Sequence, residues 1–284
     1  MKRVIACMFF LSLVVRIFAT GQESDIIYIS GERWQLLSKP IIANLTLYHH
    51  LKNALPKERS WSTANWDGYT AYWSVNDESL CLDSIIVVLF NKETKQNYTS
   101  CLSLAKMREV FKDYCKQNTI VATWFTGDIR AGKGRILYYE HTWFERNHEY
   151  EQVFTIKQGR VINQQTYHNR VVVDGFSLAT IRSQEDLKTK LPLNLKSYPE
   201  LAEAKSVIFT VNERCLDSLG NLVDCNVKAF VWFSGEKKQK EVERLAKEMK
   251  EMLTIIHPWK TLFINGEYMP SDKRGFTFRY ILDS

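Results

Sequence analysis

Several groups of residues in this chain are of types that carry chemistry, and their spacing decides what each could do. Six histidines occur: His49, His50, His141, His148, His168 and His257. Two of them adjoin acids, as Glu140-His141 and His148-Glu149, which makes a metal site conceivable there. Zinc enzymes place two ligands one helical turn apart, and this chain has no such short ligand pair. The spacing therefore predicts solvated loop histidines, no metal and no other cofactor. Asp67, Asp83 and Asp128 could supply paired carboxylates for glycoside hydrolysis. Asp67 and Asp128 adjoin glycine, however, where a short acid that bonds its own backbone makes a turn. Cys115 as a nucleophile would need an electropositive neighbour, and no Gly-x-Ser-x-Gly elbow is present. No group reaches a catalytic motif, so the chain is not expected to be an enzyme; an envelope hydrolase is the third choice.

Aromatic residues are dense at 13% of the chain. Trp61, Trp66, Tyr69, Tyr72 and Trp73 form one group, and Trp124, Phe125, Tyr138, Tyr139, Trp143 and Phe144 another. Flat rings bind sugars and apolar ligands with little entropy loss, so a glycan- or lipid-binding face is the second reading. Tyr72 and Trp73 fall on opposite faces of one strand, and core packing accounts for most of the group.

Five cysteines follow residue 21: Cys81, Cys101, Cys115, Cys215 and Cys225. None is spaced as a CxxC pair, and an odd count leaves a thiol over. The first three read as small buried apolar residues. Cys215 and Cys225 are equidistant from Gly220. Strands paired about that glycine would oppose them at about 4.5 Å between Cα atoms, within disulfide range. The pair Cys215–Cys225 is therefore expected to be oxidised, provided that no bulge breaks the register.

The elements that position these residues begin after a leader. Lys2 and Arg3 precede an apolar run over residues 4–15, and Ala19-Thr20-Gly21 offers small residues at a cleavage site. This is the layout of a secretory signal over residues 1–21, too short and too interrupted by Arg16 to be a membrane span. Its removal takes Lys2, Arg3 and Arg16, so the net charge falls from +6 to +3. No basic stripe remains, which excludes nucleic acid as the expected partner. The whole sequence, 45% hydrophobic and 25% charged, has the composition of a folded globular protein.

Alternating and aromatic segments predict strands over residues 26–29, 70–75, 80–89, 119–125, 134–139, 151–156 and 160–162. Turns are expected at 76–79 and 157–159. Apolar residues from Leu104 to Cys115 recur at helical spacing, with Ser100 or Ser103 as cap. Asn44-Leu45-Thr46 and Asn97-Tyr98-Thr99 fit a glycosylation pattern, which is short and common. The fold class expected is α+β. An N-terminal, mostly antiparallel β domain with one helix spans residues 22–190, a Pro-containing linker 191–204, and a C-terminal ββαβ domain 205–284.

That last domain is the most legible. Strands over 206–211 and 222–233 flank a turn at 217–221. An amphipathic helix over 240–253 follows, then Pro258-Trp259, and a final strand over 275–282. This order, with Val207-Ile208-Phe209, Gly220, Val223, Val227, Trp259, Asn265-Gly266-Glu267 and Phe276-Thr277-Phe278, resembles the TonB C-terminal domain family across residues 205–282. The family commonly has Trp-x-Pro after the helix, where this chain has Pro258-Trp259, and the turn before the second strand is longer here. Residues 66–69, 76–80 and 124–127 are similar to uncharacterised exported proteins of Gram-negative bacteria.

The resemblance implies an open sheet that grips an extended peptide, an envelope protein or a second copy of itself at its edge. A working energy transducer also needs an inner-membrane helix and a long Pro-rich spacer, which this sequence does not contain. The expectation is thus a periplasmic or secreted adaptor, with no transmembrane segment after the leader. The competing expectation is that the N-terminal domain covers the edge, leaving the module a scaffold. Phe276, Phe278 and Tyr280 on the last strand are the expected binding-edge residues.

Overall fold

The structure, a computed structural model, describes residues 21–60, 62–140, 142–194, 197–233, 239–271 and 275–282. Within them the chain is a mixed α and β protein in which strands predominate, with four α-helices and several sheets. The leader expected over residues 1–21 lies outside the described residues except for Gly21, as do Trp61 and His141. No helix among the described residues is long and apolar enough to cross a membrane. The chain divides into two compact units. One takes the described residues up to Ala131 together with 139–146 and 153–164. The other takes 132–138, 147–152 and the described residues from Gln165 onward.

In the first unit, β1 (Asp25–Ile29) and β2 (Glu32–Leu36) form a hairpin, and β3 (Thr70–Asn76) joins β1 in parallel. Between them lies α1 (Leu45–Ala54). β4 (Ser79–Asn91) pairs with β3 through a two-residue turn. Asp77 and Glu78 in that turn both have positive φ, the backbone that matches strand twist in a tight hairpin. β5 (Gln96–Cys101), α2 (Leu104–Val110), β6 (Cys115–Lys116) and β7 (Thr119–Val121) follow. β8 (Gly127–Tyr139), β9 (Arg146–Lys157) and β10 (Arg160–His168), each divided between the two units, complete a sheet ordered β10-β9-β8-β2-β1-β3-β4-β7-β6, with β5 on β4. Arg160 also pairs with Ser79, which brings β10 back to β4. Along β4, Ile85, Val87 and Leu89 point inward while Val88 and Phe90 point out, the period of a half-buried strand. Trp73, Phe111 and Trp124 pack in this core, with ring centroids of 6.3 Å (Trp73–Trp124) and 5.6 Å (Phe111–Trp124).

Two helices occupy this part, where the sequence predicts one. Asn44 caps α1, its side-chain oxygen accepting from the Leu47 N–H at 3.0 Å. Leu47 and Leu51, one helical turn apart, bury its inner face. Ser103 caps α2, which stops at Val110; a tight turn over 112–114 then delivers Cys115 to a strand.

The second unit contains β11 (Arg170–Val173) and α3 (Gln184–Lys190). It continues with β12 (Ala204–Leu216), β13 (Leu222–Phe233), β14 (Gln239–Glu241) and α4 (Glu243–Ile255). β15 (Thr261–Ile264), β16 (Glu267–Pro270) and β17 (Phe276–Ile281) complete it. Its main sheet runs β14-β13-β12-β17, and β11-β15-β16 form another. The last strand lies antiparallel beside the first of its sheet, Val207 opposite Tyr280 and Val211 opposite Phe276. Leu245, Met249 and Leu253 recur every four residues and bury one face of α4. The turn at 217–221 is held by Asp217, whose carboxylate accepts from the N–H groups of Leu219 and Asn221, both at 2.9 Å.

The order ββαβ is thus too spare. β14 precedes the helix, and the hairpin β15–β16 intervenes before the last strand. The unit also begins earlier than the expected linker at 191–204. Leu178, Leu187 and Leu191 pack in the same core as Val207 and Leu245, and β11 pairs with β15. Prolines at 192 and 199 break periodicity without separating cores.

Candidate functional site

The outer edge of β17 has an unusual occupant. In an antiparallel strand each residue directs its N–H and C=O to the same side, and successive residues alternate. Leu282 N–H donates to Lys205 C=O on the β12 side. The odd-numbered residues Thr277, Arg279 and Ile281 therefore face outward. At that edge Gln184 of α3 donates from Nε2 to Arg279 C=O at 2.6 Å and accepts at Oε1 from Ile281 N–H at 3.0 Å. Beside the edge lies a cavity of about 800 Å³ lined by Lys188, Leu193, Tyr198, Leu201, Tyr280 and Leu282. Its size is in the range of ligand sites.

Phe276, Phe278 and Tyr280 share a face, as alternation requires, but it is the covered one. Phe278 and Tyr280 are buried against Phe209, with ring centroids 5.6 and 5.7 Å away. These aromatics are core, not edge contacts. The edge is made by the main chain of their neighbours.

Cys215 and Cys225 are both free thiols, which corrects the expected disulfide. Asn212 opposite Asn226 and Leu216 opposite Leu222 centre the hairpin on residue 219 rather than on Gly220, and Cys215, at an irregularity of β12, faces Asp224. Glu213 there has positive φ. Cys215 is exposed and Cys225 is buried.

A second cluster lies in the first unit, built from residues the sequence did not join. Lys39 Nζ is 2.6 Å from Asp25 Oδ1 and 3.9 Å from Asp67 Oδ2, with all three side chains largely buried. Asp25 also accepts from Trp73 Nε1 and Ala71 N–H, each at 3.1 Å. Tyr48 donates to Asp67 Oδ1 at 3.0 Å. Burial pushes the Asp25 carboxyl up, against the pull of Lys39 and of the Trp73 and Ala71 donors. Burial and the Asp67 charge push the Tyr48 hydroxyl up to about 12. The arrangement ties β1, β3 and α1 together. Asp83 and Asp128 are exposed on β4 and β8, so neither shares the buried environment of Asp67.

His148 is not a solvated loop residue: it is 1% exposed on β9. Its ring approaches the chain at Gly132, where a Cβ would stand 2.4 Å from Cδ2. Its N–H donates to buried Glu151 at 2.8 Å, and its C=O accepts from Asn169 Nδ2 at 2.8 Å. Glu149 points the other way, to Arg135 at 3.4 Å. Among the described residues no group of three or more His, Cys, Asp or Glu side chains is arranged to hold a metal.

Comparison of the chain with protein-family models, with curated proteins and with solved structures finds no match.

Proposed function

We propose that this chain is an exported interaction protein. Its C-terminal sheet takes an extended segment of an envelope partner as an added strand on the outer edge of β17. It acts as an adaptor, without catalysis or energy transduction. The observation that carries the reading is the Gln184 amide seated on Arg279 C=O and Ile281 N–H. An edge whose outward groups bind a side-chain amide binds main-chain amides by the same chemistry. The similarity of residues 205–282 to the TonB C-terminal domain supports the same mode of grip.

Arg279→Pro tests it. Proline removes an outward N–H without adding charge, and its φ suits an edge strand. Crosslinking pull-down of the leaderless protein from its own envelope should lose its partner in this variant, with circular dichroism unchanged. Equal yields from variant and wild type would reject strand addition and leave the module a scaffold.

A further inference from the structure

We propose that Gln184 is a placeholder for the partner strand, and that the cavity beside it selects a segment with apolar side chains at alternate positions. The inference rests on the reading of β17 as a strand-addition edge.

The hydrogen-bond pattern points to this role. In a parallel ladder, one residue donates its N–H to the C=O before the residue it faces and accepts from the N–H after it. Arg279 C=O and Ile281 N–H flank Tyr280, and the single amide of Gln184 makes both bonds, at 2.6 and 3.0 Å. It fills the place of one strand residue and no more. α3 does not depend on these bonds. Its buried anchor is Leu187, and its cap is Ser183, which accepts from Asp186 N–H at 3.0 Å. α3 itself lies beside β17, so the edge opens when the N-terminal end of the helix swings away with the Gln184 side chain while Leu187 keeps the rest docked.

The cavity supplies the second half of the argument. A strand added at this edge alternates its side chains in step with β17. Those on the side of Phe278 and Tyr280 face the cavity, whose wall includes Tyr280, Tyr198, Leu193 and Leu201. The same four residues belong to or pack against the apolar core of the unit. Main-chain bonds of such a complex supply affinity, and pockets for alternate side chains supply choice of partner. The occupant that fits is an extended, apolar-alternating segment of another protein.

The probe is a fluorescein-labelled peptide with the sequence of residues 206–211 between lysines, an apolar-alternating strand whose Val207, Phe209 and Val211 are all buried in the protein itself. A second peptide carries threonine in place of the three apolar residues equivalent to 207, 209 and 211. Two exposed neutral hydrogen bonds compete with the probe, so Gln184→Ala should bind it roughly tenfold more tightly than wild type. Exchange of the Ile281 amide should quicken in the unbound variant. Gln184→Glu, which keeps the helix and the acceptor but loses the donor, should fall between the two. The threonine peptide should bind more weakly to every form, and Ala202→Trp, which puts a large ring at a residue lining the cavity, should erase the difference between the peptides. Equal binding of the probe to wild type and both Gln184 variants overturns the placeholder while leaving strand addition standing. Binding to none of them overturns strand addition as well. Dimerisation of Gln184→Ala in sedimentation without peptide binding overturns the partner assigned here in favour of a second copy.

Discussion

Lys39 and Asp25 form a contact of 2.6 Å with both side chains almost wholly out of solvent. Removing one member of a buried ion pair strands the other charge, at a cost of about 3–5 kcal/mol. Lys39→Met should lower stability by that order in urea unfolding. Combining it with Asp25→Leu should cost less than the sum of the single changes, because no charge is then left buried.

The same carboxyl sets a pH dependence. Its folded pKa is raised above the ordinary 3.8, first by burial. The folded state then binds the proton more tightly than the unfolded state. The contribution of Asp25 is therefore most favourable at low pH and declines as pH rises from 3.8 through the folded value. Urea titrations of wild type and Asp25→Asn from about pH 4 to about pH 7 isolate this term. The stability of wild type relative to the variant should fall across that range.

Gly132 is set by His148 and not by a turn. A Cβ there would stand 2.4 Å from the ring. Cγ and Cβ of His148 would stand 2.7 and 3.1 Å from the added Cβ as well, so relief requires movement at the root of the side chain, next to main chain bonded to Glu151 and Asn169. Gly132→Ala should destabilise by about 1–3 kcal/mol, measured by thermal or urea unfolding.

The two cysteines of the β12–β13 hairpin should differ in reactivity. Cys215 is exposed, whereas Cys225 is buried and burial pushes its thiol up. Timed iodoacetamide labelling with peptide mapping should show Cys215 modified well before Cys225. Mapping without reductant should find no bond between them.

Export is tested at the N-terminus. Sequencing of the native protein should begin at or near Gln22, after the small residues Ala19 and Gly21. Retention of Met1 in a membrane fraction would be the contrary result.

Local chemistry was legible from the residues alone. The hairpin of β3 and β4, the tight turn at Gln158-Gly159, the Asp217–Asn221 turn and the Ser103 cap all depend on neighbours within a few positions. The strand of residues 276–281 and its shared aromatic face follow from period two. Which way that face points is a different matter. Phe278 and Tyr280 turn inward because Phe209 waits opposite them, and the exposed edge falls to backbone that carries no mark in the sequence. The Cys215–Cys225 pairing failed because it assumed a hairpin centred on Gly220, whereas Asn212 opposite Asn226 and Leu216 opposite Leu222 centre it on residue 219, and such a slip changes which residues face each other. α1 was missed because Asn44 is equally apt for a cap and for a loop pattern. Asp25 meets Trp73, and Gln184 meets Ile281, across 48 and 97 positions. No periodicity reports such pairs, because only the packing of whole elements decides which distant backbone and charge come within a hydrogen bond.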